Sequence, residues 1–547
     1  MSDVTHVSTY PLHTILEEAA KKFPETSGFD FLGKKFKWKE LNETANAFAK
    51  GLQDAGIAKG TKIGLCLPNC PQYLIAYYGA LKAGMTVVNF NPLYAMDELE
   101  YQINDSETEI MVTLDLKVTY DKLGHMLART NTLQHIIVCR FTDVLPFPKN
   151  LLFPVFKAKD LANWPRDDKH MDFGDLLMND GNPDTVDIDV QNDVALLQYT
   201  GGTTGVPKGA MLTHANLSAN TEQCLKAFDG VKEGQEKMLA VIPFFHVFAM
   251  TVALNLGVRI AAEIIAIPRF DLRDTIKLID KKKPTCMPAV AAIYTAISNY
   301  PKIANYNLRS LKKCISGGAP LPVEVKKKFE SQTGCVLVEG YGLTETSPVT
   351  HVNPMDGRPN KAGSIGLPVM GTEAIILDTE TLAEKPTGEK GEICIKGPQV
   401  MKGYWNKPDE TTKTMTDDGW LHTGDIAYCD EEGYFFIVDR IKDLIITNGY
   451  NVYPRHVEEA IYKHPDVEEC IVGGLPDEQR GEKVKAWVKL KDGKLLSEPE
   501  LREFLEDKVS RIEMPRDIEF RTEALPKTMI GKLSRKDIIA EEVQKTV

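Results

Sequence analysis

Between residues 199 and 209 the chain reads Tyr-Thr-Gly-Gly-Thr-Thr-Gly-Val-Pro-Lys-Gly. Glycines at 201, 202, 205 and 209 let the backbone turn tightly and bring its N–H groups close to an anion. Thr200, Thr203 and Thr204 add hydroxyl donors, and Lys208 adds a positive charge. These are the parts of a phosphate cradle. It is not a P-loop: counted from Gly202, Pro207 stands where the second glycine belongs and Gly209 where the metal-binding hydroxyl belongs. Taken alone, the stretch also reads as a mobile Gly/Thr surface loop.

Other chemistry-bearing turns lie downstream: Phe245-His246, Ser316-Gly317-Gly318-Ala319-Pro320, and Gly340-Tyr341-Gly342-Leu343-Thr344-Glu345-Thr346. Each follows an apolar, strand-like run, which is where an open α/β sheet places its ligands. Upstream, Leu41, Ala45, Phe48, Ala49 and Leu52 recur at helical spacing and Gly56 sits at a helix stop. Strand, helix and strand then alternate through residues 63–67, 72–83, 86–90, 110–112 and 136–138, predicting a parallel sheet with helices on its faces. Further units are expected at 240–243, 264–268, 285–288, 313–316 and 336–339. From 366 to 434 short strands with Gly and Pro turns predict a small β-barrel or sandwich. Charge becomes dense at Asp439–Asp443, where a domain boundary is placed: residues 1–439 in a large N-terminal domain, 440–547 in a small α+β domain with Val484, Ala486, Val488 and Leu490 in alternation and a helix over 499–509.

A chain of 547 residues is too long for one core. Lys+Arg 65 against Asp+Glu 77 gives a formal charge of -12, which argues against nucleic acid as a partner. Ten cysteines are scattered singly, and even the close pair Cys66 and Cys70 lacks metal or redox spacing, so reduced thiols in a cytoplasmic compartment are expected. The N-terminus has no basic n-region and no apolar core, hence no export signal. Residues 239–258 are long enough to span a bilayer, but Pro243, His246 and Asn255 favour a strand, a turn and a buried helix. The proline-rich apolar stretch 145–157, with its flanking lysines, reads first as an irregular connection packed on the domain. Its second reading is an interfacial patch that touches lipid on the inner face of a membrane.

Eight motifs in series carry a resemblance: YTGGTTGVPKG (199–209), SGGAPL (316–321), GYGLTET (340–346), GYW (403–405), DGWLHTGD (418–425), VDRIKD (438–443), GYNVYP (449–454) and PKTMIGKL (526–533). In order and spacing the chain resembles the adenylate-forming acyl-CoA synthetases. The resemblance implies a multidomain α/β fold: doubly wound α/β subdomains plus a small β-barrel in the large domain, followed by a small, mobile α+β domain. It also implies ATP, Mg²⁺ and coenzyme A. A carboxylate attacks the α-phosphate to give an acyl-adenylate and pyrophosphate, and the CoA thiol then displaces AMP. An in-line displacement at phosphorus calls for cations and N–H donors rather than a protein nucleophile.

By the same resemblance, Thr200, Gly201, Gly202, Thr203, Thr204, Gly205 and Lys208 hold the β- and γ-phosphates, while Glu345 and Thr200 bind Mg²⁺. Thr344 contacts the α-phosphate. Gly317, Gly318 and Ala319, with Gly340, Tyr341 and Gly342, form the adenine slot. Asp425 accepts the ribose hydroxyls and Arg440 supports the sugar. Lys532 is the catalytic lysine, a flexible point charge bridging carboxylate and phosphate oxygens. Lys442 is the hinge about which the small domain rotates, and Gly449 lines the pantetheine tunnel.

The run 242–250, Ile-Pro-Phe-Phe-His-Val-Phe-Ala-Met, matches the acyl-pocket motif of fatty acyl-CoA synthetases. It places His246 at the pocket mouth near the reacting carboxylate and Met250 where some long-chain members have a gating tryptophan; Gly318 and Tyr341 border the acyl site. At about 0.8 kcal/mol per buried methylene, an uncharged aliphatic wall favours a medium- or long-chain fatty acid over acetate. A pimelate-like dicarboxylate, with Arg259 as candidate partner, and an aryl acid of the coumarate type stay open. So do a luciferase-like oxygenase and a lipid-binding pseudoenzyme, and the chain is compatible with a homodimer.

Overall fold

The computed structural model describes residues 7–200, 206–448, 450–477, 479–528 and 533–546, without the side chain of Thr546. The chain forms two compact units. One holds the residues up to Glu373 together with Lys396–Leu421; the other holds Ala374–Ile395 with the residues from His422 on.

Among the described residues the first unit contains two large sheets. The eight-stranded one runs, edge to edge, Gly403–Tyr404, Lys208–Thr213, Val194–Thr200, Thr86–Asn89, Lys62–Cys66, Ile110–Leu114, His135–Cys139 and His170–Asp172. From Val194–Thr200 to His170–Asp172 its neighbours pair parallel. Its strands are buried on both faces, which explains why their sequences are apolar runs rather than alternations. The helices Trp38–Asp54 and Pro71–Lys82 lie where helical spacing put them. The first is amphipathic, and the Glu40 carboxylate accepts the Lys37 N–H at its start (2.8 Å). The second begins with a proline and buries every residue from Pro71 to Leu81, so it is a core helix.

The nine-stranded sheet has the order Leu367–Pro368, Val349–Val352, Val336–Gly342, Lys313–Ser316, Cys286–Ala289, Lys237–Ala240, Glu263–Ala266, Ser27–Phe31 and Lys34–Lys37. The strands from 336–342 to 27–31 pair parallel, and antiparallel strands close both edges. Residues 239–258 resolve as expected into the end of the Lys237–Ala240 strand, a turn and buried helix. That helix carries a π-helical stretch, Met250–Asn255, between α-helical ends Val247–Ala249 and Leu256–Arg259. Among the described residues no helix is long and apolar enough to cross a membrane.

Two expectations change. Residues 366–434 do not close into a barrel: Leu367–Pro368 joins the edge of the nine-stranded sheet, and four strands remain, Glu373–Leu377, Gly391–Lys396, Leu421–Cys429 and Phe435–Arg440, in one open sheet. Four strands are too few to complete the circuit. The stretch 145–157 is not irregular either, because Lys149–Phe156 is a helix with Pro154 inside it. Its sequence hid that helix behind three prolines.

In the second unit, the strands Val467–Asp477 and Gly481–Leu490 pair antiparallel along ten residues, and Asp517–Arg521 pairs parallel to the latter. Val484, Ala486 and Val488 face a core with the helices Pro454–Tyr462 and Glu498–Leu505. Trp487, between them, faces a second cluster with Leu525 and Ile538, so this strand is covered on both sides.

Candidate functional site

In the first unit, the C-terminal ends of four strands converge as the open-sheet rule requires. Val194–Thr200 ends at Thr200, the first threonine of the Gly/Thr-rich sequence, while Lys237–Ala240 delivers the Phe245-His246 turn, Lys313–Ser316 the Ser-Gly-Gly-Ala turn, and Val336–Gly342 the turn that bears Thr344 and Glu345. Gly201, Gly202, Thr203, Thr204 and Gly205 lie outside the described residues, as do Gly449 and Lys532.

A buried polar network fixes the end of the Val194–Thr200 strand to the Phe245-His246 turn. Asn69 Nδ2 donates to the Ile242 carbonyl (2.8 Å), and the Phe244 N–H donates to Asn69 Oδ1 (2.7 Å). Tyr73 donates from its hydroxyl to Asn89 Oδ1 (2.7 Å) and to the Phe244 carbonyl (3.0 Å). Asn89 Nδ2 donates to Gln198 Oε1 (2.9 Å), and Gln198 Nε2 donates to the Phe245 carbonyl (3.0 Å). Each group is buried or nearly so, and removing one would strand its partners at about 1–3 kcal/mol apiece. Thus Thr200, two residues beyond Gln198, is held in register with His246, one residue beyond Phe245. His246 caps the following helix, its Nδ1 accepting the Phe248 N–H (3.3 Å). Met250, fully buried, begins the π-helical stretch and receives a contact from Asn89 Nδ2 to its sulfur (3.6 Å). Arg259, at the far end, is bound by Glu222 (2.6 Å) and Glu233 (3.0 Å). Its charge is therefore neutralised within the protein, which removes the cation considered for a second carboxylate.

The second cluster centres on Tyr404. Its hydroxyl donates to Glu345 Oε1 (2.7 Å), while the Lys208 ammonium lies over its ring, 4.7 Å from the centroid. Lys208, buried and opposite Thr200 in the 194–200/208–213 hairpin, also pairs with Glu410 (2.7 Å). The Lys208 and Lys413 hydrogen bonds pull the Glu410 carboxyl down to about 2. Burial, reinforced by the Glu345 charge, pushes the Tyr404 phenol far above its ordinary range, so it remains a donor. The Met401 N–H donates to the Glu345 carbonyl (2.8 Å), tying the two strands' turns together at the backbone as well.

The glycines of this region are there for space. A methyl on Gly342 would stand 1.9 Å from the Pro348 carbonyl oxygen, and one on Gly317 would stand 3.0 Å from the Phe248 ring. Gly318 has φ +78° and Ala319 is half-buried beside it. Gly340 pairs with Val352 and Tyr341 with His351 across adjacent strands, and the Tyr341 and His351 rings meet edge to face with centroids 6.1 Å apart. Burial lowers His351 to about 3, so the ring beside Tyr341 is neutral. Thr344 and Glu345 occupy a 3-10 turn, Thr344–Thr346, half-buried, whose start is closed by the Leu343 N–H donating to Thr346 Oγ1 (3.0 Å).

Within the second unit Asp425 and Arg440 are brought together: they are paired in register across antiparallel strands, and Arg440 Nε lies 3.1 Å from Asp425 Oδ1. The same strand is braced just before Asp425 by the Gly424 N–H donating to Glu392 Oε1 (2.8 Å). Lys442 lies on the short 3-10 turn Ile441–Asp443 that follows Arg440.

Sequence reading did not assign roles to Tyr404, Glu410, Asn69, Asn89 or Gln198. Tyr404 lay inside the quoted GYW motif at 403–405, but its pairing with Ala210 beside the 199–209 stretch is tertiary. For the asparagines and glutamine only burial distinguishes them, and burial is tertiary.

Chemically, the first unit presents a hard carboxylate oriented by a phenol, a buried ammonium, a hydroxyl at a strand end and closely packed glycines beside an aromatic ring. The donor set fits a small hard cation and a polyphosphate, since a carboxylate with a fixed neighbour on one oxygen keeps its other oxygen directed.

Comparison with known proteins agrees with this chemistry. The AMP-binding enzyme family matches residues 16–405, and the AMP-binding enzyme C-terminal domain matches residues 456–532. A long-chain-fatty-acid–CoA ligase of Bacillus subtilis is 46% identical over 99% of this chain and 97% of its own length. One of Escherichia coli O6:H1 is 38% identical over 96% and 93%. Among solved structures, ATP-bound MatB from Rhodopseudomonas palustris superposes with a TM-score of 0.84 at 28% identity, covering 98% of this chain and 99% of that one. An anthranilate CoA ligase in complex with anthranoyl-AMP shares the fold at a TM-score of 0.86 and 23% identity, over 98% of both chains. With both segments matched and relatives aligned from end to end, the chain belongs to the AMP-binding enzyme family.

Proposed function

We propose that this chain activates a medium- or long-chain fatty acid. ATP and the carboxylate give acyl-adenylate and pyrophosphate, and the thiol of coenzyme A then takes the acyl group and releases AMP. The relatives named above as long-chain-fatty-acid–CoA ligases support the substrate class. The observation that carries the reading is the wall behind His246: Val247, Met250, Val252, Ala253, Leu254, Leu256 and Val258 are all buried, and no charged side chain occurs among them before Arg259. Such a wall rewards each methylene of an aliphatic acid and has nothing to offer a second carboxylate.

In this reading Lys208, with Thr200 and the 201–205 turn, binds and orients the β- and γ-phosphates, exchanging its Glu410 partner for a stronger anion. Glu345, oriented by Tyr404, holds Mg²⁺ with help from Thr200; when bound, the ion neutralises charge on the phosphate oxygens. Thr344 contacts the α-phosphate. Gly317, Gly318, Ala319, Gly340, Tyr341 and Gly342 admit the flat base, and the Asp425 carboxylate with Arg440 takes the ribose hydroxyls. His246 stands at the mouth of the acyl wall and Met250 narrows it. Lys532 supplies the charge that bridges the attacking carboxylate and the α-phosphate. The small domain, beginning at Arg440, pivots at Lys442 so that Gly449 can line the route of the CoA arm during the second step. Contact of residues 145–157 with a membrane surface, and a homodimer, are part of the same proposal.

Pyrophosphate exchange into ATP with octanoate, palmitate, pimelate and coumarate tests it. Exchange is expected with octanoate or palmitate. Exchange driven only by pimelate or coumarate would reassign the acid, and none with any of them would remove the activity.

A further inference from the structure

The helix Lys149–Phe156 is inside out. Leu151 with Val155 and Leu152 with Phe156 are i,i+4 pairs on its outer side, and with Phe147 just before it they are exposed at 62, 71, 46, 74 and 80%. Its inward side carries half-buried Asn150 and Phe153, and the Phe153 ring meets Phe141 edge to face at 5.2 Å. No residue of the helix is buried. A surface helix of a globular domain normally turns its apolar stripe to the core and its charges to water. Scattered exposed hydrophobics need no explanation, but five within ten residues do.

Resting on the fatty-acid reading above, we propose that this face docks on an anionic lipid bilayer, the phase in which a long-chain acid is itself dissolved. Charge selects the partner. From Leu145 to Lys159 the chain carries Lys149, Lys157 and Lys159, all exposed, and no carboxylate; Asp160, the next residue, pairs with Lys157 (3.5 Å), so the patch keeps a positive excess on a protein of formal charge -12. Headgroups of negative charge complement that patch. A two-fold contact with a second copy would instead set lysines against lysines. Five apolar side chains framed by lysines are also what an interfacial helix needs: the former enter the boundary between headgroups and acyl chains, the latter stay among the headgroups.

The helix is also joined by packing to the acyl wall. Phe141 meets Phe31 edge to face (6.2 Å), Phe29 lies two residues earlier on the same strand face, and Phe29 meets Phe244 (6.4 Å), two residues before His246. Docking therefore seats on the lipid surface the same block of side chains that frames the acid-binding turn.

The test uses the full chain without nucleotide, sedimented with vesicles of phosphatidylcholine alone or with 30% phosphatidylglycerol. The wild type is expected to sediment with the anionic vesicles. V155D/F156D should lower that partition at least ten-fold. K149Q/K157Q/K159Q should lower it by about five-fold per lysine, with no change toward phosphatidylcholine. Octanoate-dependent pyrophosphate exchange and the melting temperature should be unchanged in both variants, so a folding defect or a failed functional reading shows itself separately. Binding with no exchange by the wild type would refute the ligase reading and leave docking standing. Wild type that ignores anionic vesicles, or V155D/F156D that binds like wild type, would overturn the proposal. So would a wild-type dimer that V155D/F156D converts to a monomer, since the face would then be covered by a second copy.

Discussion

Replacing Tyr404 by Phe deletes one oxygen and keeps the ring under Lys208, so it isolates the hydrogen bond to Glu345 (2.7 Å). A phenol donating to a carboxylate makes a charge-assisted bond, worth about 1.5–3 kcal/mol when partly buried. Tyr404 is buried and Glu345 half-buried, so water replaces the lost donor poorly. If Glu345 holds the metal, the phenol is the group that fixes its carboxylate, and losing such an outer partner typically weakens metal binding about 10–100-fold. That factor corresponds to about 1.4–2.7 kcal/mol, which overlaps the range set by the bond itself. Magnesium titrations of ATP–pyrophosphate exchange should therefore show half-saturation moved up by one to two decades in Y404F, with the rate at saturating magnesium largely recovered. In an E345Q background the same change should add nothing further, because the partner is already altered. Half-saturation within two-fold of wild type in Y404F would refute the assignment of Glu345 as the metal carboxylate oriented by Tyr404.

The remaining predictions concern the fold and the second unit. Asp439 is buried, and burial, opposed by Arg535, raises its carboxyl to about 6. The native state thus keeps a proton that the unfolded chain loses near pH 4: the contribution to stability is full below that pH and is lost as pH rises through about 6, by up to roughly 3 kcal/mol. Urea unfolding of D439N between pH 4 and 7 should show its stability relative to wild type rising with pH, and a difference independent of pH would dispose of the argument. G342A should cost about 3 kcal/mol or more, its methyl meeting a backbone oxygen at 1.9 Å, whereas G340A meets the flexible end of Ile315 at 2.9 Å and should cost far less. Equal urea midpoints for the two would count against the backbone clash. K532A should abolish pyrophosphate exchange yet still form thioester from supplied acyl-adenylate, and K442P should do the reverse by fixing φ at the hinge. Full exchange in K532A, or normal thioester formation in K442P, would undo the respective role.

Much of the frame was legible because it is written in periodicity. Leu41, Ala45, Phe48, Ala49 and Leu52 are all buried in one helix, the apolar runs at 63–67, 86–90 and 313–316 are strands, and the last of these delivers one of the site turns. Asp425 and Arg440 could be singled out by motif, but their register across two strands could not, since pairing depends on where the turn at 430–434 falls. The link from Tyr404 to Glu345 spans 59 residues and has no signature in spacing. Nor has the network of Asn69, Tyr73, Asn89 and Gln198: asparagine and glutamine read as loop or surface residues until their burial is known. At 149–156 the prolines argued against a helix and an apolar stripe argued for burial; the structure has the helix and not the burial, because residues 141–145 already provide the packed edge.

The polar network and the apolar wall behind it explain each other. A tunnel for an aliphatic chain must be uncharged, yet it has to end at a reaction centre crowded with phosphate oxygens, metal and ammonium. Under the proposed function Asn69, Tyr73, Asn89 and Gln198 would stand at that junction; they satisfy one another and the carbonyls of Ile242, Phe244 and Phe245, and carry no net charge. They therefore fix the His246 turn against the Thr200 strand without placing an ion beside the buried apolar residues 247–258, where an unpaired charge would be strongly destabilising. A salt bridge at the same place would hold the turns as firmly but would draw in water or a counter-ion on which the acyl chain could not pack. Neutral donors and acceptors, each already paired, are the arrangement that lets one surface of the turn face an anion and the other a hydrocarbon.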